Sequence, residues 1–343
     1  MISRRGFVAA TAIAGLGLGL TVADVQDARA QDTNYLLATA STGGTYYPVG
    51  VALATLTKVK LQPGEGIGMS AINSAGSGEN IKLIREKQAQ FAILQGLYGY
   101  YAAQGVGPLE QEGKQDHLRS VSMLWQNVEH FVVDDEHRDS GTMSDFVNLP
   151  EGAKVALGRQ NSGTLGSNRT ILGNLGVDID EHFDLMYAGY TPSAEALQNG
   201  QVAGISTPAG VPVGAVTQLM AAAGGSVAPL DFTDEQVAEA NGEMDLWSRY
   251  TIPAGTYPGQ EAEWNTIAQP NFLAVHADVP EEHVYLITKT VYENLPFLQA
   301  IHPATKAMAL EKAIAGLPAP LHPGAARYYA EQGVEIPEKL MAK

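Results

Sequence analysis

The chain has 343 residues, no cysteine, 45% hydrophobic residues and a formal charge of −16 at pH 7. That acidic balance excludes nucleic acid and anionic membrane surfaces as principal partners, because both are bound through basic patches. A small anion held by backbone dipoles stays open, and without disulfides burial alone must stabilise the fold.

Residues 1–30 read as a cleaved export signal of the twin-arginine type. Ser3-Arg4-Arg5 precedes a Gly- and Ala-diluted apolar run over 8–22, and Ala28-Arg29-Ala30 has the form of a cleavage site. The run is too weakly apolar for a membrane span of about 20 residues, and no later segment approaches that length. The mature protein is therefore expected to begin near Gln31, to be periplasmic, and not to span the membrane itself. Its charge becomes about −17 once three Arg and two Asp are removed. What remains is long enough for two lobes of ordinary domain size.

Tyr35-Leu36-Leu37-Ala38 opens the mature chain with strand character, and Val49, Ala52, Leu53 and Leu56 then recur at the spacing of one helix face. Between them Ser41-Thr42-Gly43-Gly44-Thr45-Tyr46-Tyr47-Pro48 forms a polar strand-to-helix turn. Two readings fit it: an ordinary glycine turn, or a cradle whose free N–H groups hold an anion at a helix start. Two further units follow. A strand over 67–72 leads through Asn73-Ser74-Ala75-Gly76-Ser77 into a helix with Ile81 and Ile84 inward. A strand over 91–94 then ends in Gln95 before a Tyr-rich helix. Repeated strand, turn and helix predict a parallel α/β sheet with ligands at the carboxyl ends of its strands.

After two more apolar runs between Val121 and Val133, the charged stretch 134–141 breaks the pattern and is read as a crossing between lobes. The same design then resumes with a strand at 154–158, the turn Arg159-Gln160-Asn161-Ser162-Gly163-Thr164, and a helix carrying Leu165, Leu172 and Leu175. Gly158 and Gly163 have nucleotide-loop spacing, but Thr164 stands where the phosphate-reaching Lys is required, so a compact anion such as a carboxylate fits better. A strand over 183–187, a helix begun by Thr191-Pro192, a strand at 202–205 with the turn 206–210, and an apolar helix over 213–223 continue this lobe. The Pro/Gly-punctuated stretch 252–259 reads as the second crossing. A strand over 270–276 and helices over 281–292, 303–314 and the C-terminal end complete the chain.

Catalytic templates are missing: there is no Cys nucleophile, no G-x-S-x-G elbow and no H-E-x-x-H helix, and the eight histidines are scattered. Gly15, Gly17 and Gly19 lie in the export signal and say nothing about dinucleotides. Asp178, Asp180, His182 and Asp184 have metal-ligand types but lack the glycine of a calcium loop, so a surface connection is expected there. No cofactor is called for, and an exported hydrolase with a Ser/His/Asp set assembled only in space is the alternative to a binding protein.

Gly43-Gly44-Thr45-Tyr46-Tyr47-Pro48, Asn73-Ser74-Ala75-Gly76-Ser77 with Glu79-Asn80, the Ser162-Gly163-Thr164 turn, the stretch 252–259, and Pro320-Leu321-His322-Pro323-Gly324 with Arg327-Tyr328-Tyr329 together resemble the TAXI family. Its members are the solute receptors of one class of TRAP transporter. The resemblance implies a two-lobed type II periplasmic binding protein fold, α/β, hinged between lobes, with no enzymatic activity. It implies a small carboxylate such as glutamate or 2-oxoglutarate as ligand and a separate ion-gradient-driven membrane permease as partner. By position, Thr42, Gly43, Gly44, Thr45, Tyr47, Asn73, Ser74 and Gln95 would face Ser162, Gly163 and Thr164, with Tyr190, Thr207 and Tyr257 completing the wall. Lobe 1 would comprise 31–136 and be completed by 256–343 after the return crossing, and lobe 2 would comprise 140–255. Arg159-Gln160-Asn161 is more polar than that family's usual approach to the second turn, and Arg159 and Arg169 are the nearest cations.

Overall fold

Short apolar strands followed by one-sided helices leave sheet faces that must be covered, and the chain covers them in two separate layers. The computed structural model describes residues 32–342, so the export signal expected at 1–30 lies outside the described part. The strands are β1 (Thr33–Ala38), β2 (Ile67–Ile72), β3 (Phe91–Gln95), β4 (Leu118–Val128), β5 (Phe131–Asp134) and β6 (Lys154–Ala156). They continue with β7 (Asp184–Leu185), β8 (Gly204–Ser206), β9 (Val227–Pro229), β10 (Ser248–Ile252) and β11 (Trp264–His276). One sheet runs β10-β11-β3-β1-β2 with β4 on the other edge of β11, and the second runs β7-β6-β8-β5-β9.

The first lobe begins with the parallel trio β3-β1-β2. Every residue of β3 is buried, as a strand covered on both faces requires. The helix Tyr46–Glu65 lies over this trio, and the predicted stripe of Val49, Ala52, Leu53 and Leu56 is buried. Val49, Leu53 and Leu56 each contribute roughly 1.5–3 kcal/mol by burial, and the smaller Ala52 less. The helix ends where Gly66 adopts a left-handed conformation that returns its N–H to Gln62 O. The helix Ser77–Arg85 buries Ile81 and Ile84 as expected.

Two strands are much longer than sequence patterning indicates. β4 contributes Leu118, Val121, Met123 and Leu124 to the first core and Val128 to a second-lobe core. β11 contributes Trp264 and Ala268 to the second lobe and Phe272 to Val275 to the first. These two antiparallel strands therefore run through both lobes and form the hinge. Pro270 cannot donate to the ladder, and it sits at an irregularity in register between Pro270 and Phe272. The expectation of a strand beginning at Pro270 mistook a mid-strand bulge for a strand start.

Strand pairing changes sheet between Val128 and Phe131, because β5 already pairs with β8 and β9. The charged stretch 134–141 lies beyond that change, with Asp145 accepting from the backbone N–H groups of Asp139, Ser140 and Gly141. It closes a surface loop of the second lobe and does not carry the crossing. The stretch 252–259 joins β10 to β11, and the return between lobes runs along β11 itself. The predicted helix over 303–314 is present only as short 3-10 turns at Pro303–Ala307 and Leu310–Lys312.

Candidate functional site

Helices follow strands, so the polar turns at the ends of β1, β2 and β3 and those after β6 and β8 face one another across the hinge. In this structure the two sets are in direct contact. Thr45 Oγ1 donates to Gly210 O at 2.8 Å, Gln95 Nε2 to Gly163 O at 2.9 Å, and Tyr98 Oη to Ser162 O at 3.3 Å. Backbone groups add Glu79 N to Asn161 O at 2.9 Å and Ala215 N to Gly43 O at 3.3 Å. The lobes are closed.

The glycines make this approach possible. A Cβ on Gly43 would stand 2.4 Å from Thr191 Oγ1, and one on Gly163 would stand 2.8 Å from Gln95 Oε1. Both contacts cross the interlobe gap, so these glycines serve the meeting of backbone and opposite lobe.

Between the turns remains a cavity of about 30 Å³, room for a water or two. Thr45, Gln95, Gly163, Thr164 and Tyr190 of the expected set line it, joined by Tyr46, Ser77 and Asn127. Tyr190 Oη donates to Pro208 O at 2.6 Å and lies 2.8 Å from Thr164 Oγ1, which donates to it. Tyr46 donates to Asn271 Oδ1 from the first residue of its helix. Burial raises the phenol pKa of both tyrosines, so they act as neutral donors.

Helix starts dominate the lining. The helices Tyr46–Glu65, Ser77–Arg85, Gly96–Gln104 and Tyr190–Gln198 all begin at it; in none of the four does the N-cap residue's own side chain bond a helix N–H, although Gln269 Oε1 accepts the N–H of Leu97 in the third at 2.7 Å. Their first N–H groups carry partial positive charge and lack the intrahelical partners of later turns. A cavity lined by uncharged side chains thus receives the positive ends of four helices.

Other expected residues have different roles. Thr42, Gly43 and Gly44 line a groove of about 470 Å³ outside the cavity, shared with Thr191 and His302. Asn73 and Ser74 border an open recess of about 440 Å³ with Arg159 and Tyr187. Ser74 Oγ is turned inward, 2.6 Å from Asn80 Oδ1 and 2.9 Å from Thr39 O. Ser162 Oγ caps the helix Gly163–Asn174 by accepting from Leu165 N at 3.0 Å. Tyr47 is half-buried and does not line the cavity; its neighbour Tyr46 does.

Tyr257 lies behind the wall. It is held by Val213 N at 3.0 Å and His130 Nε2 at 2.7 Å. Thr207 is fully buried, its N–H donating to His130 O at 3.1 Å and its hydroxyl unpartnered among the described residues. Of the two nearest cations, Arg169 is engaged on the surface by Asp180 at 2.6 Å, and Arg159 reaches Ser74 O at 3.4 Å at the mouth. Among the described residues no group of three or more His, Cys, Asp or Glu side chains is placed to hold a metal. No described helix is long and apolar enough to cross a membrane.

Residues 37–333 match the model of the NMT1-like family. MatC (Rpa3494) from Rhodopseudomonas palustris, solved with bound malate, has a TM-score of 0.55 at 16% identity, over 88% of this chain and 99% of that one. The periplasmic binding protein BugD gives 0.53 at 16% identity, over 88% and 93%. A protein from Bordetella bronchiseptica RB50 gives 0.51 at 15%, over 89% and 85%. These likenesses establish the two-lobed periplasmic binding fold.

Proposed function

The chain belongs to the NMT1-like family, and from that premise we propose that it is an exported solute receptor of the TAXI type. In this reading it binds a small carboxylate between its lobes and delivers it to an ion-gradient-driven TRAP permease, without catalysing a reaction. The observation that carries the reading is the convergence of four helix starts, three of them without any side-chain cap, on a neutral polar cavity between two closed lobes. Such a site has donors for anionic oxygen and no fixed cation, which suits one or two carboxylate groups.

The closed cavity is far smaller than the roughly 300–1,000 Å³ of pockets for drug-sized ligands. Ligand therefore enters with the lobes parted. Thr45 Oγ1 and Gln95 Nε2 exchange the carbonyls of Gly210 and Gly163 for ligand oxygens, and closure then favours the liganded state. The hydrolase alternative needs a serine beside an imidazole. Four of the histidine rings engage other partners: His130 Tyr257, His182 the carbonyl of Leu149, His283 Tyr35, and His322, through Nδ1, the N–H of Gly324.

MatC supplies the first compound to try. Thermal unfolding of the mature protein with malate, 2-oxoglutarate and L-glutamate tests the reading. At one hundred times its Kd a ligand bound only by the folded protein adds about 2.7 kcal/mol and raises the midpoint by several degrees. No shift with any organic acid or amino acid removes the carboxylate reading.

A further inference from the structure

The chain buries a carboxyl group that the proposed function leaves unused. Glu129 follows β4 at the point where the chain passes between lobes, and it is completely buried. Its backbone is fixed to β11, with its N–H donating to Ile267 O at 2.9 Å and its carbonyl accepting from Thr266 Oγ1 at 2.8 Å. Oε1 accepts from Trp247 Nε1 at 3.4 Å, Gln269 and Ser167 stand beside the carboxyl, and Oε2 has no hydrogen-bond partner among the described residues.

Glu129 acts electrostatically on the phenols of Tyr46 from the first lobe and Tyr190 from the second, and both line the cavity. His130, next in the chain, turns its ring to Tyr257 and Trp264. No lysine or arginine acts on the carboxyl, and burial pushes it up to about 8. A neutral acid is thus coupled to a site whose walls come from both lobes, through Tyr46 and Tyr190 and through Ser167, which donates to the cavity-lining Gly163.

We propose that Glu129 makes ligand capture proton-linked: closing the lobes on a carboxylate takes up one proton at this side chain, so the anion is accepted beside a neutral Glu129. This rests on the carboxylate reading above. When the lobes part, Tyr46 withdraws with the first lobe and water reaches the carboxyl, which then ionises as an ordinary acid. When they close, an ionised Glu129 and an anionic ligand would share a water-poor space, where like charges interact far more strongly than in water. Protonation removes the conflict, and the unpartnered Oε2 takes the proton.

Calorimetric titration of malate and L-glutamate into the mature protein from pH 6 to 9, in two buffers of different ionisation enthalpy, tests this. The wild type takes up close to one proton per ligand near pH 7, and its affinity falls by up to tenfold per pH unit toward pH 8. In Glu129→Gln the uptake is near zero and the pH slope flat. Circular dichroism confirms that the variant folds, and Glu129→Met, of similar length, removes the same charge should Gln be poorly tolerated. An unchanged pH slope in the variants overturns the role of Glu129 and leaves the carboxylate reading standing. Affinity that rises toward pH 8, as a cationic ligand group at Glu129 requires, also overturns it. Failure of both acids to bind at every pH, together with no thermal shift from any other organic acid or amino acid, removes the carboxylate reading, and this proposal with it.

Discussion

Ser162 shows how a residue of the right chemistry in the right turn can be assigned the wrong task. Its hydroxyl type and its place after Gly158 suggest a ligand contact, yet its Oγ is buried and accepts the N–H of Leu165 at the start of a helix. Ser162→Ala is therefore expected to lower unfolding stability by about 1 kcal/mol, within the 0.5–2 kcal/mol range of N-cap losses. Urea denaturation measures it, and unchanged stability with weakened ligand binding would return Ser162 to the site. Tyr46 and Tyr47 make the same point from the other side. Adjacent identical residues cannot be ranked from sequence, since which one faces the cleft depends on the residue at which the helix begins. Glu129 was illegible for a stronger reason. A single acid beside a strand end reads as surface, and only the approach of both lobes makes it a buried group.

At the scale of elements, the turns were legible because their signals are local. Gly, Pro, Ser and Asn at strand ends mark them whatever the rest of the chain does. The hinge was illegible because β4 and β11 are held by pairing between residues about 150 apart in sequence. The helix Asp234–Asn241 had a local signal that sequence reading passed over, the capping box of Thr233 and Gln236. Gly163 opens the helix Gly163–Asn174, where alanine is intrinsically the better helix former by roughly 0.5–1 kcal/mol. Gly163→Ala should therefore leave the lobe folded while driving a methyl against the Gln95 amide, which is tied to Gly163 O and to Asn127. The expected result is a more open molecule by small-angle X-ray scattering and ligand affinity reduced at least tenfold. Wild-type affinity in this variant would show that close contact between these turns is dispensable.

For the whole molecule, the neighbours Glu129 and His130 set opposite pH limits on stability. His130 is fully buried, and burial lowers its imidazole pKa to about 4 against 6.5 when unfolded, with the 2.8 Å bond between Nδ1 and Val128 O opposing the shift. Burial lowers His117, His276, His302 and His322 as well. As pH drops through 6.5 the unfolded chain binds protons that these rings take up less readily in the fold, so stability falls, and for His130 it goes on falling toward pH 4. Glu129 acts in the other direction once the lobes are closed. In the closed fold its carboxyl keeps a proton up to about pH 8, and it loses it near 4.5 when unfolded, so its contribution declines as pH rises through that window. Below about pH 7 the several histidines outweigh the one acid; well above it the acid dominates, with a slope approaching 1.4 kcal/mol per pH unit. With saturating ligand holding the lobes closed, urea denaturation in steps from pH 4.5 to 8.5 should give a maximum near pH 7 and a decline to 8. Glu129→Gln should keep the rise below about 7 and lose the decline above it. A decline that survives the substitution would place the alkaline limit on some other group and leave Glu129 ionised in the closed protein.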